Sequence, residues 1–449
     1  MKTLLDLAQK LNRKKLTSRQ LVEHCLSHID NTDGEGKNVF ISVFRERALS
    51  EADAADKARS ESRHSSPFCG IPVSIKDLFD IAGQVTTAGS HVLDEQPPAN
   101  HDATIVQRLR NAGFIIIGKT TMTEFAYSGL GINPHYGTPA NPFERAIRHI
   151  PGGSSSGAAV SVSDNMAAAA IGTDTGGSTR IPAALCGLVG FKPTAERVPL
   201  DGCIPLSTSL DSIGPIANTV TCCAVLNAIM SGDSTMELAE YPQVGIRLGV
   251  LDGFVMENLD KDVANAYHQT LERLGKRGIL TKTIHLPELE NYNAHINKGS
   301  LLGGEAAAWH KPYLDSRKEF YDPWIHRRIE SCLSFTAADY VETVARRRQC
   351  QIATAERTLG LDAIVMPTVP LPPIPIARLE NDTEEARRSN LLYLRNTSTA
   401  NALNAPAISI PCHKPDAAPV GFMLMGQTGE DKKLLSIAKS LEPIIRRQP

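Results

Sequence analysis

The chain reads as an α/β protein: one large mixed, mostly open twisted sheet covered by helices on both faces. Two observations predict this. Apolar runs of strand length recur at 114–117, 187–191, 246–251, 363–366, 407–410 and 420–425. Stretches with helical character separate several of them, at 261–277, 337–359, 384–403 and 431–441. Elements that alternate in this way bury their apolar faces most readily by packing helices on both sides of a sheet. No internal repeat, low-complexity tract or linker interrupts the 449 residues, so one unit spanning 1–449 is expected.

Each element has a local reason. Residues 1–15 interrupt short apolar stretches with charge and read as a helix, not as a signal peptide. Thr17 and Gln20 have capping-box spacing, and Leu21, Val22, Cys25, Leu26 and Ile29 then fall on one helical face. The alanine-rich stretch 46–60 continues as helix. From Gly70 to Asp77 the pattern alternates: Ile71, Val73 and Ile75 point one way, Ser74 and Lys76 the other. Asp102 is expected to cap a helix running to Asn111, which Gly113 ends before a buried strand. Residues 128–160 are rich in Gly, Pro, Ser and Asn and read as loop. The small, alanine-rich stretch 158–171 reads as a tightly packed buried helix.

Composition narrows the function. A hydrophobic share of 42% with 21% charged residues suits a water-exposed globular chain with a large core. A formal net charge of −2 provides no basic field for a nucleic acid or an anionic membrane, and no apolar run could span a bilayer. The nine cysteines show neither a C-x-x-C pair nor zinc spacing, and an odd count suits reduced, buried thiols in a cytoplasmic protein.

Three motifs match patterns without their context. Gly113-Phe-Ile-Ile-Ile-Gly-Lys-Thr120 spells a phosphate loop, but strand-forming residues fill its centre and a helix precedes it. Gly153-Ser-Ser-Ser-Gly157 spells a nucleophile elbow centred on Ser155, but Arg148-His-Ile-Pro makes a poor feeding strand. Ser436-Ile-Ala-Lys439 and Ser163-Asp-Asn165 mimic penicillin-recognising signatures in the wrong order.

Three segments remain: the strand end carrying Lys76, Pro151-Gly-Gly-Ser-Ser-Ser-Gly157, and Gly172-Thr-Asp-Thr-Gly-Gly-Ser-Thr-Arg180. By chemistry alone each has two readings. Lys76 is either a buried base or a strand-end lysine that snorkels to water. Ser154 suits a flexible Gly/Ser linker as well as a relay. Thr175-Gly-Gly177 makes either a tight turn or an anion nest.

Together, with Gly118-Lys-Thr-Thr-Met-Thr-Glu-Phe-Ala126, Ser209-Leu-Asp-Ser-Ile-Gly-Pro215 and Pro406-Ala-Ile-Ser-Ile-Pro411, these segments resemble the amidase signature family over about 18–441. The resemblance implies a catalytic core at about 66–215 and a triad of Lys76, Ser154 and Ser178. Ser154 would be held by a cis peptide, 24 positions before the nucleophile Ser178. The oxyanion would rest on the N–H groups of Thr175, Gly176, Gly177 and Ser178. Ser156 stands where the family shows glycine.

The implied reaction is hydrolysis of a carboxamide C–N bond through a Ser178 acyl-enzyme, releasing ammonia or an amine. It uses no metal and no organic cofactor, since Ser–Lys chemistry needs no Lewis acid. Alignment places Tyr127 either on the acyl pocket or in the core. Asp174 and Arg180 read as a structural pair, and Lys119 and Lys192 as structural. The expected partner is a small-molecule amide, with no direct nucleic-acid or membrane contact, and a homodimer is compatible.

The alternative within the family is the glutaminase (A) subunit of the glutamine-dependent aminoacyl-tRNA amidotransferase. That subunit typically continues Tyr-Gly-Arg-Val-Ser-Arg-Tyr-Gly after Lys-Pro-Thr. This chain has Ala195-Glu-Arg-Val-Pro-Leu-Asp-Gly202, closer to stand-alone amidases.

Overall fold

Eleven strands form one sheet in the computed structural model, which describes residues 3–296, 300–380 and 382–446. In chain order they are β1 (Phe40–Val43), β2 (Pro72–Lys76), β3 (Ile115–Thr120), β4 (Ala169–Thr173), β5 (Val189–Lys192), β6 (Ile213–Ala217), β7 (Arg247–Leu251), β8 (Leu280–Ile284), β9 (Ala363–Pro367), β10 (Ala407–Pro411) and β11 (Gly421–Met425). They lie side by side as β1-β3-β2-β4-β6-β5-β10-β11-β9-β7-β8. The pairs β3/β2, β2/β4, β9/β7 and β7/β8 are parallel and the others antiparallel, so the sheet is mixed as expected.

The alternation read in 70–77 sets the two faces. Ile71, Val73 and Ile75 enter one apolar cluster with Ile105, Val106 and Leu109 of the helix Thr104–Asn111. On the opposite face Ser74 hydrogen-bonds Ser161 (2.8 Å) of the helix Ser156–Ser163, whose Ala158, Ala159 and Val160 pack with Ile115 and Ile117. Lys76 points to this second face. The capping box at Thr17 forms and opens the helix Ser18–Ile29, and the first helix runs Leu4–Asn12. Met1 and Lys2 of its expected span lie outside the described residues. No helix among the described residues is long and apolar enough to cross a membrane.

Two local expectations need correction. The stretch 158–171 is not one helix. The helix stops at Ser163, Asn165 turns the chain with φ of 61°, and Ala169–Thr173 becomes the central strand β4. The small side chains that suggested tight helix packing serve a strand buried on both faces, where Ala170 and Ile171 fall into opposite clusters. Asp102 does not cap its helix, for which Ala103 is the cap residue. Its carboxylate instead accepts from Ala82 N (2.8 Å) and Arg110 Nε (3.0 Å).

Strands β1, β6 and β8 gave no readable signal. β8 is exposed along most of its length, so Leu280-Thr-Lys-Thr carries no apolar pattern, and β6 contains Pro215, which argues against a central strand.

Candidate active site

The site forms where the C-terminal ends of the parallel strands β2 and β4 meet two loops. Lys76 is the last residue of β2 and is fully buried. Its Nζ lies 2.7 Å from Ser154 Oγ and 2.8 Å from Thr173 Oγ1, at the end of β4. No carboxylate lies within ion-pairing distance among the described residues, and burial lowers the Lys76 ammonium to about 7.

Ser154 follows a cis Gly153–Ser154 peptide. The loop is held by its main chain: Gly153 N donates to Gly129 O (2.8 Å), and Thr123 N to Ser154 O (3.1 Å). A side chain at 153 would meet Gly131 N at 2.5 Å, so this close approach requires glycine. Ser155 N donates to Ser178 O (3.3 Å), which places the Ser178 backbone directly beside this loop. Ser178 is 4% exposed, and its side chain makes no hydrogen bond among the described residues. Ser155 turns inward, its Oγ 3.4 Å from Thr173 O, and no strand feeds it as an elbow would require. Ser156 begins a helix with an ordinary backbone, so serine fits there; its buried Oγ has no partner among the described residues.

The N–H groups of Thr175, Gly176, Gly177 and Ser178 donate to no protein acceptor among the described residues. Gly177 has φ of +137°, and a Cβ there would meet Thr397 Oγ1 at 2.1 Å, so only glycine fits. Four unspent donors on one turn beside a serine can together hold an anion.

A buried ion pair locks this turn to the body of the protein. Arg180 Nη2 lies 2.8 Å from Asp174 Oδ1, both side chains fully buried. Arg180 also donates to Thr397 O and Asn401 Oδ1, at 2.8 Å each, on the helix Thr383–Ala402. Burial alone would raise the Asp174 carboxyl, but Arg180 outweighs it and holds the group well below the usual carboxylate range.

Two further buried lysines have structural surroundings. Lys119 pairs with Asp77 (2.7 Å), and Lys192 Nζ donates to Pro193 O (2.6 Å). Burial also lowers Lys192 to about 7, so a depressed value alone does not mark a base; what differs at Lys76 is a pair of hydroxyl partners.

Tyr127 is buried in an apolar cluster with Phe125, Leu206 and Ala307, against which Cys203 and Cys332 pack. Its hydroxyl lies 3.6 Å from Cys332 Sγ, and the Arg328 guanidinium sits 4.3 Å above its ring. Sequence reasoning missed three residues. Thr173 lies inside the Gly172–Arg180 motif but had no role until β4 placed it against Lys76. Asp211 accepts a short hydrogen bond from Thr175 Oγ1. Arg328, 150 residues beyond Ser178, packs over Tyr127, a tertiary contact that no local pattern announces.

The amidase family model matches residues 20–435. The chain is 33% identical to 2-amino-5-chloromuconic acid deaminase of Comamonas testosteroni, covering 99% of this chain and 96% of that protein. It is 34% identical to the (A) subunit of the glutamyl-tRNA(Gln) amidotransferase of Pseudomonas savastanoi pv. phaseolicola, covering 98% and 97%. A solved amidase superposes with a TM-score of 0.88 at 30% identity, over 99% of this chain and all of the other. An α/β sheet of this order, matched along nearly its whole length in sequence and structure, places the chain in the amidase family as a hydrolase acting on amides.

Proposed function

We propose that the chain hydrolyses a carboxamide through an acyl-enzyme on Ser178, with neutral Lys76 as base and Ser154 as proton relay. The observation that carries this reading is the contact of Lys76 Nζ with Ser154 Oγ at 2.7 Å in a fully buried site. A neutral amine keeps two N–H groups and one lone pair. Thr173 Oγ1 takes one N–H, which leaves the lone pair for the Ser154 hydroxyl proton.

As Ser178 Oγ attacks the carbonyl carbon, its proton passes to Ser154 Oγ and the Ser154 proton to Lys76. The oxyanion rests on the N–H groups of residues 175–178. The proton returns along the same path to the leaving nitrogen as the C–N bond breaks. Water then attacks the acyl-enzyme by the same route and frees the acid.

The pH dependence follows from the sign of the Lys76 shift. An ammonium cannot accept a proton, so activity is absent below the Lys76 ionisation and present above it. The value of about 7 predicts that kcat/KM rises with pH through an ionisation near neutrality and levels off above it. A rate independent of pH between about 5 and 9 would show that another group is the base.

Arg328 supports a substrate class. Its guanidinium is half-buried between the faces of Tyr127 (4.3 Å) and Trp324 (5.0 Å). It donates to Tyr127 O, and no carboxylate pairs with it among the described residues. A desolvated guanidinium with unspent donors fits a planar anion, so the preferred substrate is an amide that also carries a carboxylate. Replacing Arg328 by methionine is expected to lower kcat/KM for such amides about 30- to 100-fold, the worth of a charged hydrogen bond. Neutral amides of similar size should change little. Equal losses for both classes would remove Arg328 from the site.

The chain acts in this reading as one catalytic unit without a partner subunit. Ammonia release from small amides by the purified chain, compared with glutamine, tests that against the amidotransferase alternative.

A further inference from the structure

Lys76 has two carboxylates in its electrostatic surroundings, and they are held very differently. Asp174 is neutralised by Arg180 (2.8 Å). Asp211, which also acts on Lys76 and on the neighbouring Cys203, has no cation paired with it among the described residues. Its partners are donors of another kind. Oδ1 accepts from Thr175 Oγ1, and Oδ2 accepts from Leu206 N (2.9 Å) and Ser207 N (3.1 Å).

The segment holding Asp211 is itself fixed on both sides. Ser212 and Asp174 exchange main-chain hydrogen bonds at 2.7 and 3.2 Å. Ser207 Oγ donates to Glu305 Oε2 (2.6 Å), which Tyr340 Oη also anchors through Oε1 (2.8 Å). One buried carboxylate therefore touches the first residue of the oxyanion turn and lies in the field of the base.

We propose that Asp211 is a positioning residue for the amidase reaction: its carboxylate ties down the Thr175 hydroxyl and so orients the oxyanion donors, and it supplies the unpaired negative charge in the surroundings of Lys76. The inference rests on the reading of Lys76 as the base. The hydroxyl of Thr175 has its acceptor in Asp211, so the Thr175 N–H is free to face the reacting carbonyl while the side chain is tied away from it. The charge works on the other end of the site. A carboxylate near Lys76 favours its protonated form and opposes desolvation. The titratable or charged groups around Lys76 are then Cys203, Asp211 and Asp174, and burial raises the Cys203 thiol so that it contributes no charge at neutral pH. Burial likewise pushes the Asp211 carboxyl up to about 6, so it is charged where Lys76 titrates.

The test is the pH profile of kcat for amide hydrolysis in Asp211→Asn beside the unaltered protein, with folding checked by thermal melting. Removing the negative charge destabilises the ammonium of Lys76. The acid limb is therefore expected to move to lower pH by about half a unit or more. The plateau kcat is expected to fall about 10- to 100-fold with KM little changed, because an oxyanion donor is misaligned. A merely structural role would not displace the ionisation. Thr175→Val removes the hydroxyl and leaves the carboxylate. It should lower kcat similarly, with the acid limb displaced less than in Asp211→Asn.

An unmoved limb in Asp211→Asn, or an unchanged kcat in Thr175→Val, overturns the proposal. If Asp211→Asn does not fold, the Thr175→Val rate decides it alone. If the unaltered protein shows no ionisation near neutrality, the reading of Lys76 fails first, and that result is distinct from a limb that is present but does not move.

Discussion

Ser178→Ala is expected to abolish amide turnover, a loss of about 10⁵-fold or more, while leaving the fold intact. The size follows from the chemistry. In the proposed mechanism the hydroxyl forms the covalent intermediate, and relay and base have nothing to deprotonate without it. The fold is spared because the Ser178 side chain makes no hydrogen bond among the described residues. Its backbone carbonyl, which accepts from Ser155 N (3.3 Å), is unaffected by the substitution. Stability should therefore stay within about 1 kcal/mol, readable as a melting temperature shifted by no more than a few degrees. Mass spectrometry of the unaltered protein with a slow amide or ester should find the acyl group on the peptide containing Ser178. An adduct on Ser155 instead would mean that the Gly153–Gly157 run carries the nucleophile and that the proton path is wrong.

The legible parts of the sequence were those whose signal is local. The alternation in Gly70–Asp77 placed Ile71, Val73 and Ile75 on one face and Lys76 on the other, because side chains on a strand alternate strictly. The capping box at Thr17 needs only its own turn. The strand ending in Thr120 disposed of the phosphate-loop match, since a backbone spent on sheet pairing with β1 and β2 cannot wrap a phosphate.

What escaped was set by tertiary contact. Ala169–Thr173 has helix-forming alanines, yet pairing with β2 on one side and β6 on the other overrides propensity. Thr173 mattered only once β4 lay beside β2. Asp211 and Arg328 come from segments far from the glycine–serine block, so no spacing rule connects them to it. Lys76 read from its apolar neighbours as either buried or snorkelling, and although Lys119 and Lys192 read as structural, no local pattern gave the physical difference among the three. That difference lies in whether the amine meets hydroxyls, a carboxylate or a backbone carbonyl.

The same difference makes position 76 the most demanding test of the chemistry. Lys76→Arg is expected to lower amide hydrolysis about 10⁴-fold, because a guanidinium stays protonated and has no neutral form at working pH. Arginine keeps the positive charge and can still donate to Ser154 and Thr173. A loss would therefore show that the site needs a proton acceptor and not a cation. Lys76→Ala should lose a comparable factor by removing the base outright. Both variants should hydrolyse esters with a smaller loss than amides, since an alkoxide leaves with less help from a proton than an amine does. Overpacking is the competing cause, as a guanidinium is larger than an ammonium and position 76 is fully buried. The ester-to-amide ratio separates the two causes: a displaced Ser154 loop would slow both substrates equally, whereas a missing base slows the amide more. Near-normal amide turnover in a folded Lys76→Arg protein would leave Lys76 as a structural cation, and the proton taken from Ser178 would need another destination.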